Sequence, residues 1–504
     1  MMKNRLYKYI LGFTLLFAGS GCSKFLEEAG QDELHPEWAE DLQQLLVGEV
    51  YPMDDWFLSY LDLMTDDVTS NFVNDNSRLY RLYNGQAAFT WQDDLFEQMQ
   101  EKGVVLVDTY DHYYRRIKGC NVVLDNIDKV KGAETVKSNV KGQALAMRSY
   151  FYFMLVNLFA QPYNADGVDI QKAPGVPLQL VSKVTDERPV RATIAQVYQQ
   201  IEMDLLAAAP LLSEYGRDNS KLKATDLFVY TLLSRMYLYM ENWEKSAEYA
   251  GKVLERNSQL LKLSTLTIPK RTFSPSVNVY DLASPESIWM YSSYQEFNQF
   301  FNEPAYGDAP LYAASESLED CYEHNWTEGG TNRKDLRPVF FYRRYYISSI
   351  TYDVRMMDGS KMGGAPYFIK GMRVAESYLN RAESYIQQYL KNGDESLRVA
   401  ALKDLNFLRE HRYDTRNVAY QPVDITNGQQ LLEFCRSERR RELNFEEHRW
   451  FDLRRYGMPE IKHTFQGFPN QSPIDYVLTK GDKRYVLPIP QSVLRRNPSL
   501  VPNP

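Results

Sequence analysis

Apolar residues recur every three to four positions along eight stretches of the chain, and this spacing predicts amphipathic helices. The second stretch is apolar almost all round between Tyr150 and Phe159, as expected of a helix buried on every side. Thr193 is the predicted N-cap of the third, which should end at the run Ala207-Ala208-Ala209-Pro210. The stretches are Val104–Val130, Val140–Ala160, Thr193–Leu212, Ala224–Met240, Glu244–Arg256, Gly371–Leu390, Asp394–Arg412 and Gly428–Arg455.

Two pairs of these predicted helices are joined by very short turns, at Asn242-Trp243 and at Asn392-Gly393. Within each pair, small residues share a helix face with aromatic ones, so a neighbouring helix can approach closely. Helix pairs of this length and pattern are typical of tetratricopeptide-type repeats, although the strict 34-residue pattern is not met. The pattern therefore predicts helix pairs that are at best degenerate repeats of this type.

Four regions lack a sustained helical period: residues 51–95, 161–192, 257–370 and 457–504. They are rich in proline, glycine, serine or aromatic residues, and the last of them contains one strand-like run, Arg484–Ile489. Irregular segments this long inside a compact protein usually carry function. We therefore expect a binding site to lie in these segments, on a rigid helical support.

The first 22 residues have the pattern of a bacterial lipoprotein signal. Lys3, Arg5 and Lys8 precede an apolar run that ends at Ala18, and small residues lead to Cys22. The run is far shorter than the roughly 20 apolar residues that cross a bilayer as a helix. We expect cleavage before Cys22 and lipid on its sulfur, although Gly19 stands where an aliphatic residue is usual.

Composition narrows the choice of partners. The chain has 58 basic and 66 acidic residues and a net charge of −8, which argues against nucleic acid as a partner. Apart from Cys22 there are three cysteines, none in C-x-x-C spacing, so buried free thiols are expected. Tyrosine, with 37 copies, outnumbers phenylalanine and tryptophan together, which suits a wet recognition surface as well as a core.

Sequence signatures of catalysis and of cofactor binding are absent. The six histidines form no metal-binding spacing, and the mature chain has no G-x-S-x-G elbow. Gly359 to Gly364 has the spacing of a phosphate-binding loop but lacks the lysine that follows it there. We therefore expect no cofactor and no metal.

Paired carboxylates are harder to exclude, because glycoside hydrolysis needs only two acids at the right separation in space. Adjacent pairs occur at Asp66-Asp67, Asp93-Asp94 and Glu446-Glu447. The first pair, with Asn71, Asn74, Asp75 and Asn76 nearby, also offers oxygen ligands for calcium, although a solvated turn is the simpler interpretation.

The densest charge lies between residues 438 and 455, where acids and bases alternate at helical spacing. This alternation predicts local ion pairs within one helix: Glu438 with Arg441, Glu446 with Arg449, and Arg449 with Asp452. Apolar residues interrupt the charges, so we expect a packed structural helix instead of a phosphate-binding surface.

This cluster also carries a family resemblance. Residues 437–455 (SERRRELNFEEHRWFDLRR) resemble the C-terminal signature of SusD/RagB-type outer-membrane lipoproteins of the Bacteroidetes. Four further segments are similar, in the family's order: residues 22–28 (CSKFLEE), 146–153 (AMRSYFYF) with 175–178 (GVPL) downstream, 373–383 (RVAESYLNRAE) and 485–490 (YVLPIP).

The resemblance implies an all-α scaffold of four tetratricopeptide-like helix pairs, with irregular loops and minor β-structure. It implies a non-catalytic protein on the cell exterior that captures a glycan and passes it to a SusC-like TonB-dependent transporter barrel. We divide the chain into a signal peptide (1–21), an N-terminal region (22–215) and a C-terminal region (216–504), which together form one compact unit.

The ligand site is expected on loop aromatics, because sugars present apolar C–H faces to rings. Ordinary packing is the alternative for each of them. The candidates are Trp56, Trp91, Tyr294, Phe300, Tyr306 and Trp326.

Two other functions stay open on the sequence alone. The first alternative is a helical-repeat lipoprotein that binds a peptide, another nutrient or only a protein partner. The second is a surface glycosidase with an unrecognised acid pair.

Overall fold

Helices make up most of the described chain, as the apolar spacing predicts. The computed structural model describes residues 36–52, 58–104, 108–183, 188–216, 220–267, 279–291, 300–301, 310–323, 334–341 and 370–503, and the backbone at 344–348 and 353–356. Its longer helices are α1 (Ala39–Leu45), α2 (Asn76–Phe89), α3 (Leu95–Glu101), α4 (Thr109–Asn126), α5 (Glu134–Phe159), α6 (Ile194–Tyr215), α7 (Asp226–Tyr239), α8 (Trp243–Arg256), α11 (Val374–Asn392), α12 (Glu395–Arg412), α13 (Gly428–Leu443), α14 (Arg449–Arg455) and α15 (Gln491–Arg496). Two single turns are α9 (Glu316–Glu319) and α10 (Arg337–Phe340).

Successive helices pack side by side and form the core. Helix α5 packs between α4 and α6, α7 pairs with α8, and α11 contacts α8, α12 and α13. Every side chain of α5 from residue 142 onward is buried, which confirms the prediction of a helix enclosed on all sides. The all-α, tetratricopeptide-like scaffold is thus confirmed. In the described part, no helix is long and apolar enough to cross a membrane.

Side-chain caps define several helix starts. Thr193 caps α6 through its hydroxyl, which accepts a hydrogen bond from the Gln196 N–H at 3.2 Å, while Gln196 Oε1 accepts one from the Thr193 N–H at 2.9 Å. This reciprocal pair satisfies two backbone donors that the first turn leaves free. Asn242, in the short turn predicted at Asn242-Trp243, caps α8 because its side chain accepts a hydrogen bond from the Lys245 N–H.

Five two-stranded antiparallel sheets occur within the described residues, and two of them, β1–β5 and β4–β8, join segments that are distant in sequence. Strand β1 (Val68–Ser70) pairs with β5 (Tyr312–Ala314), β2 (Pro174–Pro177) with β3 (Arg191–Thr193), β4 (Ser287–Tyr291) with β8 (Lys370–Arg373), β6 (Arg344–Ser348) with β7 (Asp353–Met356), and β9 (Ile461–Phe465) with β10 (Ile474–Leu478). Gly371 has φ +154°, and a Cβ there would overlap the Trp289 carbonyl oxygen, so the β4–β8 contact requires glycine.

Several predicted boundaries are wrong. Helix α6 continues through Pro210 to Tyr215, because Pro210 lies on the exposed side and buried Leu212 extends the apolar face. Residues 370–373 form strand β8 before α11 begins. Residues 484–489 form no strand, since a 3₁₀ turn at Lys483–Tyr485 is followed by irregular backbone. Helix α2 and the β9–β10 hairpin lie in regions that were expected to be irregular.

The helix predicted from Gly428 to Arg455 is broken in the middle. Helix α13 ends at Leu443 and α14 begins at Arg449. Between them Phe445 and Glu447 have φ values of +56° and +61°, a conformation that costs non-glycine residues energy. Long-range contacts of the charged side chains, described next, hold this strained turn. The predicted division of the chain between residues 215 and 216, which falls after α6, stays a prediction.

Candidate ligand-binding site

The charge cluster of the C-terminal helices lies in the protein interior. Three arginines and three glutamates, each at most 1 % exposed, form what we call the arginine network: Arg337, Arg373, Arg412, Glu286, Glu438 and Glu442. Within it, Arg337 Nη1 lies 2.7 Å from Glu438 Oε1, and Arg412 Nη2 lies 2.7 Å from Glu286 Oε2. Glu442 pairs with all three arginines.

Most partners in this region are distant in sequence. Of the three predicted local pairs only Glu438–Arg441 forms, at 2.7 Å. Glu446 pairs instead with Arg373 at 2.8 Å, and Arg449 pairs with Asp66 at 2.6 Å. The Glu446–Arg449 pair is wrong because Glu446 lies in the turn between the two helices, where it contacts Arg373. The Arg449–Asp452 pair is wrong although both residues lie on α14, because Asp452 pairs with Arg439 and Arg455 and Arg449 with Asp66.

The network's electrostatics match a structural role. Burial alone would raise the pKa of Glu438, but the guanidinium groups of Arg337, Arg441 and Arg409 hold it well below its usual range. The pKa of Glu442 is lowered in the same way by Arg412, Arg373 and Arg337. These charges are neutralised by one another inside the protein, so they offer nothing to a phosphate group.

Two of the three adjacent carboxylate pairs are also held by protein groups. Asp67 Oδ1 accepts a hydrogen bond from Arg440 Nε at 2.7 Å, beside the Asp66–Arg449 pair. Glu447 accepts a hydrogen bond from the Tyr291 hydroxyl.

The calcium interpretation finds no support at Asp75, whose carboxylate caps α2 by accepting bonds from the Ser77 and Arg78 N–H groups. In the part of the chain that the structure describes, no three His, Cys, Asp or Glu side chains are grouped to hold a metal ion. Of the cysteines beyond the signal segment, Cys120 and Cys435 are buried free thiols as expected, whereas free Cys321 is partly exposed.

Of the six aromatic candidates, Trp91 and Phe300 lie among the described residues, and both are buried. The Trp91 indole Nε1–H donates to the Met64 carbonyl at 2.9 Å, and its ring stacks on His463 at a centroid distance of 4.3 Å. Phe300 is fully buried in the core. Trp56, Tyr294, Tyr306, Trp326 and the predicted lipid site Cys22 lie outside the described residues.

Trp91 forms part of the wall of a cleft at the start of α3. An inner cavity of about 210 Å³ and an outer depression of about 470 Å³ share the lining residues Trp91, Gln92, Asp93, Lys483 and Arg484, and we call the two together the ligand cleft. The inner part is otherwise lined mainly by apolar residues, among them Leu95, Val486, Pro488, Ile489, Leu494 and Pro502.

The rim of the cleft is charged. Arg484 donates from Nε and Nη2 to the two carboxylate oxygens of Asp482, at 2.9 and 2.7 Å. These hydrogen bonds lower the pKa of Asp482 to about 2. Asp93 and Lys483 are exposed, and neither forms an ion pair with a described side chain. The cleft thus joins a mainly apolar floor to a charged rim, on which Asp93 and Lys483 have no ion-pair partner among the described residues.

Chemically, this arrangement suits a small polar ligand that has one apolar face. Sequence reasoning selected Trp91 but missed the opposite wall, residues 483–503. These residues lie in the irregular region 457–504, where a site was expected, but the prolines and the Arg484–Ile489 run, predicted as a strand, singled out no residue.

Comparison with known proteins agrees with the architecture. A family model described as "Starch-binding associating with outer membrane" matches residues 24–238, and a model described as "SusD family" matches residues 288–504. No curated protein matches the sequence.

Solved structures share the fold at low identity. A SusD superfamily protein from Bacteroides thetaiotaomicron is 22 % identical with a TM-score of 0.64, and the alignment covers 93 % of this chain and 100 % of that one. A SusD-like carbohydrate binding protein from Bacteroides vulgatus is 22 % identical with a TM-score of 0.65, covering 92 % and 98 %. A further SusD superfamily protein from Bacteroides vulgatus is 18 % identical with a TM-score of 0.66, covering 93 % and 99 %.

Proposed function

The chain belongs to the SusD family, and from this membership we propose that it is a cell-surface lipoprotein which binds a glycan and delivers it to a TonB-dependent transporter in the outer membrane. The observation that carries the proposal is the match of two SusD family models to the two ends of one chain. One of these models is described by starch binding and by association with the outer membrane.

The architecture supports a binding role. A rigid helical scaffold carries a cleft with an apolar floor and a polar rim, and this combination suits sugars, which have apolar C–H faces and hydroxyl edges. We propose that the loop aromatics Trp56, Tyr294, Tyr306 and Trp326 add ring surfaces to the site. We propose no catalytic role, because two of the three carboxylate pairs noted in the sequence are held by arginine or tyrosine partners.

Glycan binding is tested by isothermal calorimetry of the mature protein against starch, maltoheptaose and a panel of plant and host polysaccharides. We expect saturable binding to at least one of them, without release of reducing sugar. Release of reducing sugar from a bound glycan would favour the glycosidase alternative. Binding of peptides with no binding of any glycan would favour the peptide alternative.

Attachment and delivery need separate tests. Mass spectrometry of the membrane-extracted protein should find a diacylglycerol-modified Cys22 as the N-terminal residue, and a Cys22→Ala variant should leave the membrane fraction. Protease added to intact cells should cleave the protein if it faces the exterior. Affinity purification from detergent-solubilised outer membranes should recover a SusC-like barrel with it, and recovery of the lipoprotein alone would argue against delivery.

A further inference from the structure

We propose that the ligand cleft binds a single sugar ring at the end of a glycan chain, with Asp93 and Lys483 binding the hydroxyl groups of that ring. The inference rests on the proposed function and makes it more specific. It assigns recognition of the terminal ring to the residues at the start of α3 and to residues 483–503. The loop aromatics expected from the sequence are not part of this assignment.

The size of the cleft favours one ring. Pockets that enclose drug-sized ligands measure roughly 300 to 1,000 Å³, whereas the inner cavity here is about 210 Å³. A longer chain therefore does not fit inside it. The outer depression, at about 470 Å³, leaves room for the remainder of a glycan to pass out of the cavity into solvent.

Polarity changes from the mouth of the cleft to its floor. Residues that line the outer depression are Trp91, Gln92, Asp93, Asp482, Lys483 and Arg484, of which four are charged. Residues confined to the inner cavity are mainly apolar, as at Leu95, Pro488 and Leu494. A sugar ring has the same division, with an apolar C–H face and hydroxyl groups at its edge. The ring would therefore lie with its C–H face on the floor and its hydroxyls at the rim.

The walls are held in place before any ligand arrives. Asn503, which lines the inner cavity, donates from Nδ2 to the Phe159 carbonyl at 3.0 Å and to the Leu487 carbonyl at 2.6 Å. Its Oδ1 accepts a hydrogen bond from Arg191 Nη1 at 2.7 Å. Arg484 is fixed by Asp482 and by the Val477 carbonyl at 3.0 Å. A fixed pocket loses little entropy on binding, which favours recognition of a small ligand.

Two charged groups are left for the ligand. The Asp93 carboxylate accepts hydrogen bonds and the Lys483 ammonium donates them, and no ion pair joins these two exposed side chains. Hydrogen bonds between charged groups and hydroxyls are about twice as strong as those between neutral groups. These two side chains therefore select hydroxyl positions on the bound ring.

The experiment measures binding of the mature protein to an array of oligosaccharides that are immobilised through their reducing ends. The free ends of these oligosaccharides carry glucose, galactose, mannose, xylose, N-acetylglucosamine or a uronic acid. The methyl glycoside of the terminal sugar of a bound oligosaccharide serves as the soluble competitor. Asp93→Asn and Lys483→Gln change the rim, and Lys480→Gln changes an exposed lysine nearby that does not line the cleft. Thermal melting verifies that all three variants fold.

We expect the methyl glycoside to compete, and Asp93→Asn and Lys483→Gln each to weaken binding by about tenfold or more. Lys480→Gln should bind like the wild type. If the wild type binds glycans and both rim variants bind equally well, the terminal-ring inference is wrong while the proposed function stands. If the wild type binds no glycan on the array or in calorimetry, the proposed function is wrong and the inference with it.

Discussion

Charged side chains occur in two contrasting settings in this molecule, the arginine network and the rim of the ligand cleft. In the network, Glu442 is fully buried and contacts three arginines. At the rim, Asp93 and Lys483 are exposed and have no ion-pair partner among the described residues. The same residue types are therefore neutralised inside the protein in one region and available to a ligand in the other.

The difference teaches where charge serves folding and where it serves binding. A buried charge must be paired, since removing one partner leaves another charge in a medium that solvates it poorly. The network links α10, β8, α12 and α13, and it thus holds together segments more than 100 residues apart. Exposed charges contribute little to stability, so folding does not require them at particular positions and they can serve ligand binding instead.

The largest effect is expected at the centre of the network. Glu442→Ala removes the carboxylate that pairs with the buried guanidinium groups of Arg337, Arg373 and Arg412. We expect this to reduce the free energy of unfolding by about 3–5 kcal/mol. Urea unfolding followed by circular dichroism measures the change. Glu433→Ala on the same helix is the matched control, because its side chain is exposed, and it should change stability far less. A loss below about 1 kcal/mol for Glu442→Ala would remove the distinction between the two settings.

A smaller effect is expected at Asp66, which stands at the edge of the charged region with its side chain 28 % exposed. Burial opposes the shift, but Arg449 and Arg440 lower the pKa of Asp66 to about 2. Because the folded-state pKa is below the unfolded value, the stabilisation is present above about pH 4 and disappears as the pH falls towards 2. Asp66→Asn should therefore remove about 1.5 kcal/mol of the decrease in unfolding free energy between pH 5 and pH 2.5.

Urea unfolding of the wild type and the variant at several pH values in this range measures the effect. Equal pH dependence of the two proteins would mean that Asp66 is not stabilised by its arginine partners.

Trp91 combines features of both regions: it lines the ligand cleft, yet its side chain is buried like those of the arginine network and only 1 % exposed. Trp91→Phe loses the hydrogen bond to the Met64 carbonyl and part of the stack on His463, and we expect it to cost about 1–2 kcal/mol of stability. Glycan affinity should change less than about threefold, because so little of the ring is available for contact. A large loss of affinity in a stably folded variant would instead make Trp91 a ligand-contacting residue.

Local patterns explain how much of the fold could be predicted from the sequence. The apolar spacing of helix α5 and the Thr193–Gln196 cap of α6 depend on residues within a few positions of one another, so both can be recognised in the sequence. Helix α2 was missed because its buried positions, such as Leu82 and Phe89, are interrupted by polar residues. The break after Leu443 was missed because Glu446, in the turn that follows it, contacts Arg373, a partner 73 residues away that local spacing does not show.

The ligand cleft was only half predictable for the same reason. Trp91 was selected because it is an aromatic residue in a region without helical period. Lys483 and Arg484 lie almost 400 residues away, and only the fold brings them to the same cleft. The irregular region 457–504 was expected to carry function, but no local pattern singles out residues of 483–503 as a binding surface, since their role depends on the residues they face.

The smallest effect on stability is expected at the rim itself. Lys483 is exposed and has no ion-pair partner among the described residues, so Lys483→Gln should leave the free energy of unfolding within about 0.5 kcal/mol of the wild type. The same variant should weaken glycan binding about tenfold, because we propose that the Lys483 ammonium group donates to the ligand. Urea unfolding and calorimetry on one preparation measure both quantities. A stability loss of about 2 kcal/mol would place Lys483 with the structural charges, because only a charge that the folded protein itself uses can cost that much when removed.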